Sequence, residues 1–134
     1  MSNFEKDTRK RLRKSERLSS QKQIQALFSY GNSFNAPPFA IRYLELAEPG
    51  QNDHQILVSV SKRNFKRAVD RNRIKRHIRE AYRLNKHLLA DLSNKYAIAY
   101  IYTFKNMIAY KDLENKLIES LSRLQTELSK GNEV

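Results

Sequence analysis

The 134 residues include no cysteine, no tryptophan, only three glycines and three prolines, and no apolar run that could cross a bilayer, which takes about 18 residues or more. Without cysteine there is no disulfide, no thiolate nucleophile and no Cys-ligated zinc or iron–sulfur centre. The first residues lack the continuous apolar core of a secretory signal, so a cytoplasmic protein without membrane attachment is expected. No internal repeat recurs at solenoid periods, and the length suits one domain of the usual roughly 100–150 residues. The three histidines, His54, His77 and His87, do not have the helical spacing of a zinc-binding pair. Phosphate-loop and nucleophile-elbow patterns are missing too, so neither a catalytic side chain nor a protein-held metal is expected.

Acidic residues are also scarce. Fourteen Asp and Glu face 26 Lys and Arg, for a formal charge of +12. The excess is concentrated: residues 1–23 hold eight bases and three acids, residues 62–83 hold ten and two, and the rest of the chain is within one charge of neutral. Local concentration of cations focuses potential and points to a polyanionic partner, whose counterions binding would release. With 40% hydrophobic residues the chain can still pack a core, so most of this charge is expected on a folded surface.

Residues 1–18, with Phe4, Leu12 and Leu18 as isolated large apolar side chains, are expected to form a flexible basic arm, followed by one domain over 19–129 and a tail over 130–134. Ser20 with Gln23 resembles a capping box, and Ile24, Leu27 and Phe28 share a face, predicting a helix over 21–30 with Gly31 as a left-handed cap. Alternation predicts strands over 39–46 and 55–61, joined as a hairpin through the turn-forming stretch 48–53. A helix over 68–89 follows, then a strand over 95–104 and a helix over 112–128 whose Leu113, Leu117, Leu121, Leu124 and Leu128 form one stripe. The order α-β-β-α-β-α predicts a small α+β domain with helices covering a sheet and a βαβ crossover through the basic helix.

On that helix, at about 100° per residue, Asn72, Arg76, Arg79 and Arg83 fall opposite Ile74, Ile78 and Ala81, with Lys75 at the flank. Only Asp70 and Glu80 lie within the segment to neutralise it by local pairing. Guanidiniums can grip phosphate in a bidentate manner, and amides at a helix start favour anions. Nucleic acid is therefore the favoured partner; an acidic protein or a membrane surface would meet the same pattern.

Ala68-Val69, Arg71-Asn72-Arg73, Lys75-Arg76 and Arg79-Glu80 closely resemble the signature of the bacterial ribonuclease P protein component, and a looser resemblance covers about residues 14–128. The resemblance implies a left-handed crossover and a partnership with a catalytic RNA. That RNA removes the 5′ leader of precursor tRNA, supplies the catalysis and mainly holds the Mg2+ ions. It further implies that Arg71, Asn72, Lys75 and Arg79 border a leader cleft and the catalytic RNA, with Lys62, Arg63, Lys66, Arg67, Arg73, Arg76 and Arg83 as further RNA contacts. In such proteins the leader lies between the first helix and the sheet. Phe28 matches the family's aromatic on that helix, and Phe39, Ile41 and Tyr43 are candidates for the sheet side, where bases could stack; Phe28, Ile41 and Tyr43 could equally be core.

The chain also departs from the family pattern. Ile24 stands where phenylalanine is common, and Arg42 stands where a cleft aromatic is expected, offering guanidinium stacking or a phosphate contact instead. Two family glycines are replaced near Leu57 and Phe65, with one extra turn residue before Ala68. No obligate protein partner is expected. A ribosome-associated or regulatory RNA-binding protein would show the same charge pattern, and a stand-alone nuclease lacks an acidic cluster.

Overall fold

A strand that is apolar on both faces must be covered on both, and the segment KYAIAYIY is such a strand. In the computed structural model, which describes residues 12–47 and 52–132, it lies at the interior of a four-stranded sheet. The elements are α1 (Gln21–Tyr30), β1 (Asn32–Ala36), β2 (Phe39–Leu46), β3 (Gln55–Val60), α2 (Ala68–Asn85), β4 (Lys95–Tyr102) and α3 (Tyr110–Asn132). Single 3-10 turns occupy Lys14–Glu16 and Lys86–Leu89.

The strand order is β1-β2-β4-β3, with β2 antiparallel to both β1 and β4, and β3 parallel to β4. The α+β class and the crossover from β3 through α2 to β4 are therefore as expected. The hairpin is not: β4 sits between β2 and β3, because pairing on both edges buries the most apolar strand. Most of the turn expected between them, residues 48–51, lies outside the described residues. The short strand β1 was not anticipated, since Asn32-Ser33-Phe34-Asn35-Ala36 offers a single large apolar side chain.

The two sheet faces build two cores. Phe39 and Ile41 from β2, Ile56, Val58 and Val60 from β3, and Tyr96, Ile98, Tyr100 and Tyr102 from β4 pack against Ile74, Ile78, Ala81 and Tyr82 of α2 and the leucine stripe of α3. Each fully buried leucine of that stripe contributes roughly 1.5–3 kcal/mol. The other face forms a smaller core from Ala97 and Ala99 with Leu18 and Leu27, flanked by Ile24, Leu44, Leu46 and Leu57. The alanines of β4 let α1 approach closely.

Ser20 caps α1, its Oγ accepting from the Gln23 N–H at 3.3 Å. Gly31 ends the helix in extended rather than left-handed backbone, with φ −69°. Its need for glycine is close approach: a Cβ would stand 2.3 Å from the Leu27 carbonyl oxygen and 3.0 Å from that of Tyr43.

The N-terminal boundary shifts. Residues 12–18 belong to the folded domain: Leu12, Glu16 and Leu18 are buried, and the Leu18 N–H donates to the Ile56 carbonyl at 2.9 Å. Glu16 accepts from Lys86 Nζ and, at 3.0 Å, from the Arg13 N–H. Burial alone would raise the Glu16 pKa, but these bonds and the Lys86 charge outweigh it and hold the carboxyl below its usual range. The remainder of the expected arm, residues 1–11, lies outside the described residues. At the other end, α3 continues through Asn132, beyond the expected start of the tail. Among the described residues no helix is long and apolar enough to cross a membrane.

Candidate nucleic-acid interface

The 18-residue helix α2 buries Ile74, Ile78, Ala81 and Tyr82 and turns Asn72, Arg73, Arg76 and Arg79 to solvent, with Lys75 half-buried beside them. Among the described residues no carboxylate comes within salt-bridge reach of Arg73, Lys75, Arg76 or Arg79. This is a ridge of unneutralised cations on a rigid support. Repulsion among them is relieved when an anion arrives.

Arg83 does not join the ridge. Its side chain is only 7% exposed, and its Nε donates to Glu80 Oε1 at 3.1 Å while Nη2 donates to Oε2. An arginine so enclosed and already matched by a carboxylate has little left for phosphate. Arg71 is also partly committed: Nη1 donates to the carbonyls of Phe65 and Lys66 at 2.7 and 2.9 Å, fastening the preceding loop to the first turn of α2. That loop presents Lys62, Arg63, Lys66 and Arg67, all exposed, and is anchored by the Phe65 ring 6.0 Å from Tyr102.

The docked N-terminal segment adds a cation outside the expected set. Arg17, with Leu12, Arg76, Arg79, Glu80 and Arg83, lines a groove of about 420 Å3 along α2. Burial, and then the charge of Arg17, hold the Arg79 pKa below the usual arginine value. The basic run at residues 1–23 is the sequence signal for it, while the docking rests on isolated apolar side chains, Leu12 and Leu18, that show no strand or helical period.

On the opposite side of the sheet, register defines a second surface. Arg42, Ala99 and Leu57 form one row across β2, β4 and β3, and Ala40, Ile101 and Ser59 form the next. Helix α1 packs on the Leu44 and Ala97 end of this face. Ala40, Ser59 and Ile101 are only partly covered and Thr103 is exposed, which leaves a floor of small and hydroxyl-bearing side chains and one aliphatic side chain. Phe28 stands beside it, 42% exposed, with the Arg42 guanidinium 5.7 Å from its ring centroid.

Three of the sheet-side cleft candidates lie on the face opposite α1. Phe39 and Ile41 are 1% and 0% exposed within the larger core, and the Tyr43 hydroxyl donates to Glu127 of α3 at 2.8 Å. Burial and the Glu127 carboxylate push the Tyr43 pKa up to about 12. Period-two alternation separates Phe39, Ile41 and Tyr43 from Ala40, Arg42 and Leu44. The bulkier set goes to the side where two helices supply the larger core. Ile24 packs at the edge of the smaller core, so Phe28 and Arg42 are the cleft candidates that face the open floor.

The histidines near these surfaces make structural contacts. His54 Nδ1 accepts from the Tyr96 N–H at 3.0 Å, and its Nε2 lies 3.4 Å from the Leu89 carbonyl oxygen. His77 stands edge-on to Tyr110 at 5.4 Å. Burial lowers both pKa values, assisted at His77 by Arg73 and Arg76. His87 is exposed. Among the described residues no three His, Asp or Glu side chains converge where they could hold a metal ion.

A mixed sheet sealed on one face by a leucine-striped helix, with a cationic crossover helix and a partly open second face, defines a small basic α+β domain suited to a polyanion. The ribonuclease P family profile matches residues 12–125, and by that extent the chain belongs to the ribonuclease P protein family. The ribonuclease P protein component of Porphyromonas gingivalis is 40% identical over 117 residues, an alignment covering 84% of this chain and 85% of that protein. That of Idiomarina loihiensis is 46% identical over 74 residues, 53% of this chain and 55% of the relative. The ribonuclease P protein from Thermotoga maritima shares the fold with a TM-score of 0.67 at 22% identity, over 81% of this chain and 96% of that one. The Staphylococcus aureus protein superposes with a TM-score of 0.64 at 24% identity, over 81% and 94% of the two chains.

Proposed function

We propose that this chain, a protein subunit of the ribonucleoprotein endoribonuclease ribonuclease P acting in tRNA 5′ processing, uses its two surfaces for two RNA contacts. The ridge of Asn72, Arg73, Lys75, Arg76 and Arg79, with the loop cations Lys62, Arg63, Lys66 and Arg67, grips phosphates of the catalytic RNA. The floor between Phe28 and the sheet receives the 5′ leader of precursor tRNA, a single strand whose bases can stack on an aromatic wall. In this proposal the RNA supplies the bond-breaking chemistry and holds the Mg2+ ions, and the protein contributes binding and no catalytic side chain.

The observation that carries the proposal is the set of α2 cations left without carboxylate partners among the described residues. Reconstitution tests it. Combined with its cognate RNA at low magnesium, the protein accelerates leader removal from precursor tRNA well beyond what an unrelated basic protein achieves. Stimulation no greater than that control overturns the proposal.

A further inference from the structure

Helix α1 ends in a way that leaves carbonyls to be satisfied. Its last turn carries no basic residue, and Gly31 is not in the left-handed conformation that would fold the chain back onto the turn. The Leu27 carbonyl still accepts from the Gly31 N–H at 3.0 Å, and the further donors come from the sheet. Arg42 Nε donates to the Leu27 carbonyl at 3.4 Å, and Nη2 donates to those of Phe28 and Gly31 at 3.0 and 3.2 Å. A cation at a helix C-terminus also complements the helix dipole. The same guanidinium lies 5.7 Å from the centroid of Phe28, the exposed aromatic on that turn.

We infer that Arg42 is a positioning residue of the leader cleft: by clamping the last turn of α1 to β2 it fixes the Phe28 ring as a wall, and it does not itself bind leader phosphate. The inference rests on the leader-cleft assignment proposed above. A planar fork suits the task because one side chain reaches three carbonyls while its face remains under a ring. An exposed aromatic on an unclamped terminal turn would lose rotational and translational freedom only on binding, at the expense of affinity.

The test compares the reconstituted holoenzyme's affinity for precursor tRNA with its affinity for the mature tRNA lacking a leader. Phe28→Ala lowers that leader-dependent ratio about tenfold, in line with loss of one stacked base. Arg42→Ala lowers it by a similar factor, and the double variant loses no more than either single one. Arg42→Ala also leaves the salt dependence of leader binding unchanged, and Arg42→Lys, which keeps charge but loses the fork, does not restore the ratio. If the alanine variant fails to fold, Arg42→Gln, retaining a donor on a shorter stem, takes its place. Losses that multiply in the double variant, full rescue by lysine, or a salt slope smaller by the roughly 0.7–0.9 of one phosphate contact each overturn the inference. An unaltered ratio in Phe28→Ala removes the leader-cleft assignment itself; a loss there with none in Arg42→Ala removes only the role of Arg42.

Discussion

Removing two ridge cations together, Arg76→Ala with Arg79→Ala, separates charges that meet RNA from charges already satisfied. Both are exposed on α2, both line the groove with Arg17, and neither has a carboxylate partner among the described residues. If each makes one phosphate contact, the slope of log affinity against log salt falls by about 1.4–1.8. Between about 0.1 and 0.3 M salt, the affinity advantage of the unaltered protein then shrinks by about five- to sevenfold. Filter binding of the catalytic RNA across that salt range measures it, with a thermal midpoint to show that the fold survives. Arg83→Ala is the internal control: one turn further along the same helix, but paired with Glu80 and 7% exposed, it leaves the slope in place and lowers stability instead. A slope unchanged in the double variant, or reduced equally by Arg83→Ala, refutes the division between free and matched cations.

Leu121→Ala, in the fully buried stripe of α3, lowers unfolding free energy by about 2–5 kcal/mol, read from urea denaturation; a loss below about 1 kcal/mol contradicts its place in the core. Gly31→Ala forces a Cβ against the Leu27 carbonyl and destabilises the docking of α1, seen as faster amide exchange at Ser29–Gly31, whereas unchanged protection refutes the close approach. His54 and His77 have folded-state pKa values below the unfolded value near 6.5, so the unfolded chain takes up protons first. Their contribution is complete above the unfolded pKa and declines as pH drops through about 6.5 toward the folded values. NMR titration of the imidazoles checks this, and a pKa at or above 6.5 for either ring contradicts it.

Much of the architecture was legible because single-element patterns are local. The leucine stripe marked α3, the strict alternation of Gln55–Val60 marked β3, and the spacing of Ile74, Ile78 and Ala81 marked the buried side of α2. Pairing was less legible, because β2 and β3 are neighbours in sequence yet bond to β4, a choice made by competition for burial across the sheet. The cleft suffered from the same limit. Alternation sorts β2 into two sets, but both contain apolar residues, and only the docking of α1 decides which set it meets. On α2 the charge density was plain from sequence, while the matching of Arg83 by Glu80 and the use of Arg71 as a loop fastener depend on side-chain geometry. Arg17 and Leu18 gained their places through a backbone bond to Ile56 that no local pattern announces.

The interior position of β4 has a consequence for biosynthesis. A nascent chain that has emerged only as far as the end of α2 already carries the ridge and its apolar underside, but the strand that joins β3 to β2 is still to come. Until residues 95–102 leave the exit tunnel, the basic helix and β3 cannot be joined to β2, and the Leu27 side of the sheet lacks Ala97 and Ala99. Both faces of the sheet are thus completed late, when one strand supplies Ala99 to one side and Tyr100 to the other, and the basic helix gains its second support only when α3 follows.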